Sequence, residues 1–185
     1  MIRDFVSLIY PHLCYACNKP LIKSESGICT LCQYHLPKTN FHLETENPIS
    51  KLFWGRVPIE RATAYYYFLK GNKIQTLIHQ LKYKGKKEIG ISVGGFFGHD
   101  LAQSPQYNSV DYLIPVPLHP NKLMQRGYNQ SEYIAQGMSN AMKKELRTDI
   151  LVREKNNATQ TRKTHFDRWK NVETIFKTHL QQEFI

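Results

Sequence analysis

The chain has 185 residues, enough for one moderate domain with a small appendage. With 41% apolar and 22% charged residues it can bury a core, which excludes a disordered-type composition. A net charge of +10, from 25 Lys and Arg against 15 Asp and Glu, favours polyanions such as nucleic acid, nucleotides, polyphosphates or an acidic membrane face, against the plainer alternative of a merely basic soluble protein.

No segment approaches the roughly 18–20 consecutive apolar residues that span a bilayer, so no membrane insertion is expected. The N-terminal stretch MIRDFVSLIYPHLCYAC carries Asp4, has only a short apolar run and lacks a small-residue cleavage site. A signal peptide is therefore rejected and a cytoplasmic location expected. Phe5, Leu8 and Ile9 are read as one face of a short amphipathic helix.

All four cysteines follow within the first 32 residues, as Cys14-x2-Cys17, eleven intervening residues, and Cys29-x2-Cys32. Each C-x-x-C turn can aim two sulfurs at one ion, and two such turns complete a tetrahedron, so a closed, structural zinc site is favoured. Two disulfides are the alternative, disfavoured in a chain with no export signal, and a redox pair is a third reading. His12 and His35 flank the turns and are read as solvent-exposed, with a supporting role to the cysteines as the alternative.

Residues 1–40 are read as the cysteine module, 41–57 as a polar linker and 58–185 as the main domain. Ala62 to Leu69 (ATAYYYFL) is aromatic and strand-like, and a hairpin across 57–69 is one arrangement. Ile74, Leu77, Ile78 and Leu81 recur at helical spacing, which predicts a helix over Asn72 to Tyr83. A second helix, Ile89 to Ala102, is rich in Gly and Phe and implies close packing. Val110 to Val116 reads as a buried strand broken by Pro115 and Pro117, followed by a basic loop holding Arg126-Gly127. A helix is predicted over Asn129 to Leu146, with Tyr133, Ile134, Met138, Ala141, Met142 and Leu146 inward. Short strands at Ile150 to Val152 and Val172 to Phe176 complete an alternation that argues for an α/β domain. Residues 153–171 are polar and basic.

A strand stopping at prolines before a basic, Gly-containing loop is a common way to present N–H groups and cations to an anion. The set of segments resembles the ComF (ComFC/GntX-like) family. It comprises the two cysteine turns, His79-Gln80-Leu81-Lys82-Tyr83-Lys84-Gly85 and Pro115-Val116-Pro117-Leu118-His119-Pro120. It continues with Arg126-Gly127-Tyr128-Asn129-Gln130-Ser131-Glu132 and a later stretch with Gln160, Arg168, Asn171 and Phe176. The resemblance implies an N-terminal zinc ribbon joined to a type I phosphoribosyltransferase-like domain, with an association with DNA uptake in natural competence. It places Arg126, Gly127, Asn129 and Gln130 at a pyrophosphate loop and Lys82, Tyr83, His119 and Arg168 near a substrate. It makes 153–171 the hood that closes over such a site. Arg126 and Asn129 shaping their own loop, with Asn129 as a helix cap, stands equally open. Lys82 as a solvated helix-end lysine is open in the same way, whereas His119 is read rather as a solvated or loop-shaping residue.

The family's acidic pair and Thr-Gly turn, which would hold the ribose and the 5-phosphate, do not occur after Phe176, where the sequence reads KTHLQQEFI. The expectation is thus an incomplete phosphoribosyltransferase-like domain that does not catalyse transfer, with no catalytic residue named. Magnesium would be expected only with a complete phosphoribosyl diphosphate site. Partners compatible with the resemblance are phosphoribosyl diphosphate, single-stranded DNA and a DNA-transport ATPase. A non-catalytic zinc-ribbon interaction module and a truncated remnant are the alternatives.

Overall fold

The structure, a computed structural model, describes residues 10–154 and 175–178. Among them lie helices α1 (Thr30–His35), α2 (Pro48–Lys51), α3 (Lys73–Tyr83), α4 (Lys87–Ala102), α5 (Pro120–Arg126) and α6 (Gln130–Met142). The strands are β1 (Tyr112–Leu113), β2 (Glu145–Leu146), β3 (Leu151–Arg153) and β4 (Phe176–Thr178), and 3-10 turns occupy Phe41–Leu43 and Pro105–Tyr107.

Helix α3 forms where the apolar spacing places it. Asn72 caps it by accepting from the Gln75 N–H at 3.0 Å, and Ile74, Leu77 and Leu81 are buried along one face. The close packing expected of α4 is made against α6. Gly90, Gly94 and Gly98 recur every fourth residue on α4 and bring one helix face to the backbone of α6. A methyl group on Gly94 would collide with the Ile134 carbonyl, and one on Gly137 with the Ile91 carbonyl. Only glycine permits this approach, and it sets the frame on which the loops around Arg126 are hung.

Helix α6 begins as expected, with Asn129 as its cap, but stops at Met142 rather than Leu146. Lys143 turns left-handed at φ 57°, and the chain then extends into β2, so Leu146 belongs to a strand. The strand expected over Val110 to Val116 contracts to Tyr112–Leu113, because Pro115 and Pro117 have no N–H to continue a ladder. β1 pairs parallel with β2 (Tyr112 with Glu145, Leu113 with Leu146), and β3 pairs antiparallel with β4 (Leu151 with Thr178, Arg153 with Phe176). The described strands therefore form two separate two-stranded ladders in a mixed helix-strand fold. The last strand lies at Phe176–Thr178, later than read, with 172–174 outside the described residues.

The hairpin across 57–69 is absent. The aromatic run instead lies beside residues 37–39, through Thr39 N–H to the Tyr65 carbonyl (3.0 Å), Tyr67 N–H to the Pro37 carbonyl (2.9 Å) and a Lys38–Tyr66 bridge. Lys38 then pairs with Asp100 of α4 at 2.8 Å, and the Tyr65 hydroxyl donates to the same carboxylate at 3.0 Å. The stretch read as a linker carries α2 and is pinned by buried Asn47. Its amide donates to the Ala62 carbonyl at 2.8 Å while its oxygen accepts from Ile49 and Ser50 N–H.

The apolar core is continuous from the cysteine module into the helices: Cys14, Ile28, Cys32 and Leu36 share one cluster with Ile74, Leu77, Leu81, Ile89 and Tyr128. Gln80 of α3 donates to the Tyr15 carbonyl (2.8 Å) and Ser92 of α4 to the Ser26 carbonyl (2.7 Å), so both cysteine turns are seated on these two helices. The N-terminal helix expected around Phe5, Leu8 and Ile9, most of the hood, Gln160, Arg168 and Asn171 all lie outside the described residues.

Candidate functional site

Two groups of chemically able side chains lie along α3, one in contact with its first residue and one at its last. The first is the cysteine cluster. The turn after Cys14 closes through Asn18 N–H to the Cys14 carbonyl, with Asn18 left-handed at φ 59°. Cys29 caps α1 and Cys32 lies in its first turn, so a helix start fixes the second pair. The four sulfurs lie within 4.8 Å of one another, with Cys17 Sγ 3.8 Å from Cys29 Sγ, and all four thiols are free of disulfides. Bonds of about 2.3 Å to a tetrahedral ion would set sulfurs about 3.8 Å apart, so these residues fit a metal ion.

Their electrostatics agree. Burial opposes ionisation of Cys14, but N–H groups of Cys29 (3.3 Å) and Ala16 (3.4 Å) point at its sulfur and bring the thiol down to about 7. Burial, then hydrogen bonding with the Cys17 and Cys29 thiols, pushes Cys32 up to about 12. Four thiolates cannot coexist in this space without a cation among them. Lys73 Nζ also reaches Cys32 Sγ at 3.5 Å, a contact that nothing in the sequence spacing signals. His12 and His35 are exposed.

The second centre gathers around the far end of α3. The segment read as a basic loop after Pro117 is helix α5. Pro120 occupies its first turn, His119 Nδ1 accepts from the Asn121 N–H at 3.2 Å, and Gly127 closes the helix in the left-handed conformation at φ 78°. This helix escapes sequence reading because Leu123 and Met124 are exposed and leave no amphipathic stripe. Arg126, its last residue, hydrogen-bonds Gln130 Oε1 and lies 5.5 Å over the Tyr83 ring.

Tyr128 is buried and its hydroxyl donates to the Leu81 carbonyl. Lys87 lies over both Tyr128 (5.2 Å) and Tyr133 (5.1 Å). Asn129 donates to the Val116 carbonyl at 3.1 Å and accepts from the Ser131 N–H at 3.1 Å, so its side chain holds the turn and caps α6. Tyr83, Arg126, Gly127 and Gln130 are thus brought together, and Lys82 sits beside Tyr83 in the last turn of α3. His119 stands at the opposite end of α5 from Arg126, about 10 Å along the axis. Arg168 lies outside the described residues.

The cluster also includes His79, whose ring lies 5.1 Å from that of Tyr83. The four-residue spacing on α3 was the available signal for this pair.

The molecule is therefore a mixed helix-strand protein whose four cysteines can hold a metal ion beside a cationic, aromatic surface. Along 94% of its length it is similar to curated proteins named DNA utilization protein YhgH. It is 26% identical over 188 residues to that of Escherichia coli O157:H7, 25% to that of strain K12 and 23% to that of Salmonella typhimurium LT2, covering 80% of each relative. No family model and no solved structure matches the chain. Among the described residues no helix is long and apolar enough to cross a membrane.

Proposed function

We propose that this chain is a ComF-like DNA-utilisation protein, a zinc-stabilised phosphoribosyltransferase-like scaffold that binds single-stranded DNA and does not itself catalyse transfer. The observation that carries the reading is the similarity to DNA utilization proteins along 94% of the chain. The +10 charge supports it, since neutralising phosphates with Lys and Arg releases counterions and drives binding. Zinc is the ion this reading assigns to Cys14, Cys17, Cys29 and Cys32, because a closed four-thiolate tetrahedron suits it and leaves no open coordination position for catalysis. When bound, the ion would tie the two cysteine turns together and secure their seat on α3 and α4.

The non-catalytic part rests on the residues around Arg126. Asn129 and Gln130 spend side-chain groups on internal hydrogen bonds. Anisotropy of a labelled oligothymidylate, titrated at several salt concentrations, tests the reading. The expected result is binding that weakens linearly on a log–log plot, by about 0.7 per phosphate contact. Absence of binding at low salt would overturn it. Calorimetric binding of phosphoribosyl diphosphate with magnesium, together with release of pyrophosphate, would overturn the non-catalytic part alone.

A further inference from the structure

We propose that His79, Tyr83 and Arg126 form the platform on which bases of single-stranded DNA stack, with Lys82, Lys84 and Lys86 as its phosphate-contacting edge. The inference rests on the DNA-binding reading above and names the place where it happens. Three observations converge there.

The first is a ladder of planar groups at the protein surface. His79 and Tyr83 lie one turn apart on α3 with ring centroids 5.1 Å apart and planes tilted by 49°, and the Arg126 guanidinium lies 5.5 Å from the Tyr83 centroid. Even with both neighbours in place, Tyr83 remains 65% exposed. A large aromatic ring left open beside a cation is what a nucleobase can cover, by stacking on the ring and on the guanidinium plane.

The second is that the ladder is braced from behind. Gln130 holds Arg126, and Tyr128 anchors the same turn to the Leu81 carbonyl. Lys87 is held over Tyr128 and Tyr133, which ties the start of α4 to this turn. A platform fixed by such contacts loses little freedom when a base settles on it.

The third is the sign of the surroundings. From residue 79 to residue 90 the chain reads HQLKYKGKKEIG, four lysines and one acid. That acid, Glu88, lies beside Tyr15, the ring that Lys86 overlies at 5.2 Å. Lys84 and Lys86 are exposed on either side of Gly85, while Glu132 is the exposed acid in the first turn of α6. Cations that follow a backbone beside an aromatic step describe a sequence-tolerant single-strand site. A duplex hides its base faces and could use only the cations.

The test is anisotropy with labelled oligothymidylate of about 15 nucleotides, against a duplex of the same length. Tyr83→Ala should bind the single strand about tenfold more weakly with an unchanged salt slope, because a stacking contact is lost and no phosphate contact is. Tyr83→Phe should bind as wild type. Lys84→Gln with Lys86→Gln should lower the salt slope by about 1.4, roughly 0.7 for each contact. Tyr34→Ala, which removes an even more exposed tyrosine from α1, should change nothing.

If wild type binds the single strand and Tyr83→Ala binds it equally well, the platform is overturned while the DNA-binding reading stands. If duplex binds as tightly as single strand, the platform is likewise overturned. If wild type binds neither, both fall. Tyr83 is exposed, so an unchanged thermal midpoint separates lost binding from lost folding.

Discussion

Lys73, at the start of α3, directs its Nζ to Cys32 Sγ at 3.5 Å across 41 positions of sequence. Four thiolates around a divalent ion carry net negative charge, and an ammonium donor at one sulfur offsets part of it. Such outer partners commonly change metal affinity by about 10- to 100-fold. Lys73→Met keeps the aliphatic stem and removes the donor. Chelator-driven metal release, followed with a chromogenic indicator, is expected to run about tenfold faster in the variant. An unchanged release rate would show that Lys73 is a bystander.

Replacing one ligand acts more broadly. Cys14 and Cys32 are almost fully buried in the cluster that contains Leu77 and Leu81, so the cysteine cluster and α3 share one core. Cys14→Ser or Cys29→Ser should abolish stoichiometric metal and destabilise the whole chain by about 3 kcal/mol or more, since metal binding energy is folding energy in so small a module. Elemental analysis and thermal melting check this together. A variant that keeps one metal per chain and the wild-type midpoint would contradict it.

The cysteine pairs and α3 were legible because their signals are local: fixed spacing in one case, Ile74, Leu77 and Leu81 behind the Asn72 cap in the other. The glycines of α4 announced close packing, though not its partner. What stayed hidden is non-local or conformational. The aromatic run 62–69 pairs with 37–39 rather than with itself, a choice made by Lys38–Asp100 and Tyr65–Asp100 contacts that no window of sequence contains. Helix α5 hides directly behind a run of prolines with its apolar side chains in solvent. Met142 ends α6 only because Lys143 turns left-handed there, and the Lys73–Cys32 contact exists only once α3 lies on the cysteine turns.

Glu25 supplies a pH-dependent contribution to the second cysteine turn. Its carboxylate accepts from the Thr30 N–H at 2.7 Å and from the Ile22 N–H at 3.1 Å, and the bond from Thr30 is the main reason its pKa falls below the ordinary 4.5. A carboxylate with a depressed folded-state pKa stabilises above its unfolded pKa, and the benefit is lost as pH falls through the folded value. Glu25→Gln should therefore melt lower than wild type at pH 6, and the gap should close as pH drops below 4.5. A gap that stays constant down to strongly acidic pH would mean that the charge plays no part.

Two neighbouring glycines of α4 should respond to alanine with opposite sign. At Gly94 a methyl group would run into the Ile134 carbonyl, and neither backbone can withdraw without separating α4 from α6. At Gly95 the nearest atom to a methyl group would be the Gly137 carbonyl at 4.0 Å, an ordinary contact distance. Gly94→Ala should therefore destabilise by about 3 kcal/mol, at the upper end of overpacking costs, because backbone must move. Gly95→Ala should stabilise by up to about 1 kcal/mol, since alanine is the better helix former and nothing opposes it. Denaturant midpoints at unchanged slope report both. Equal and small effects at the two positions would mean that the α4–α6 approach is looser than these distances state. The surface around Arg126 and Tyr83, which depends on that approach, would then lack the rigid support argued for it.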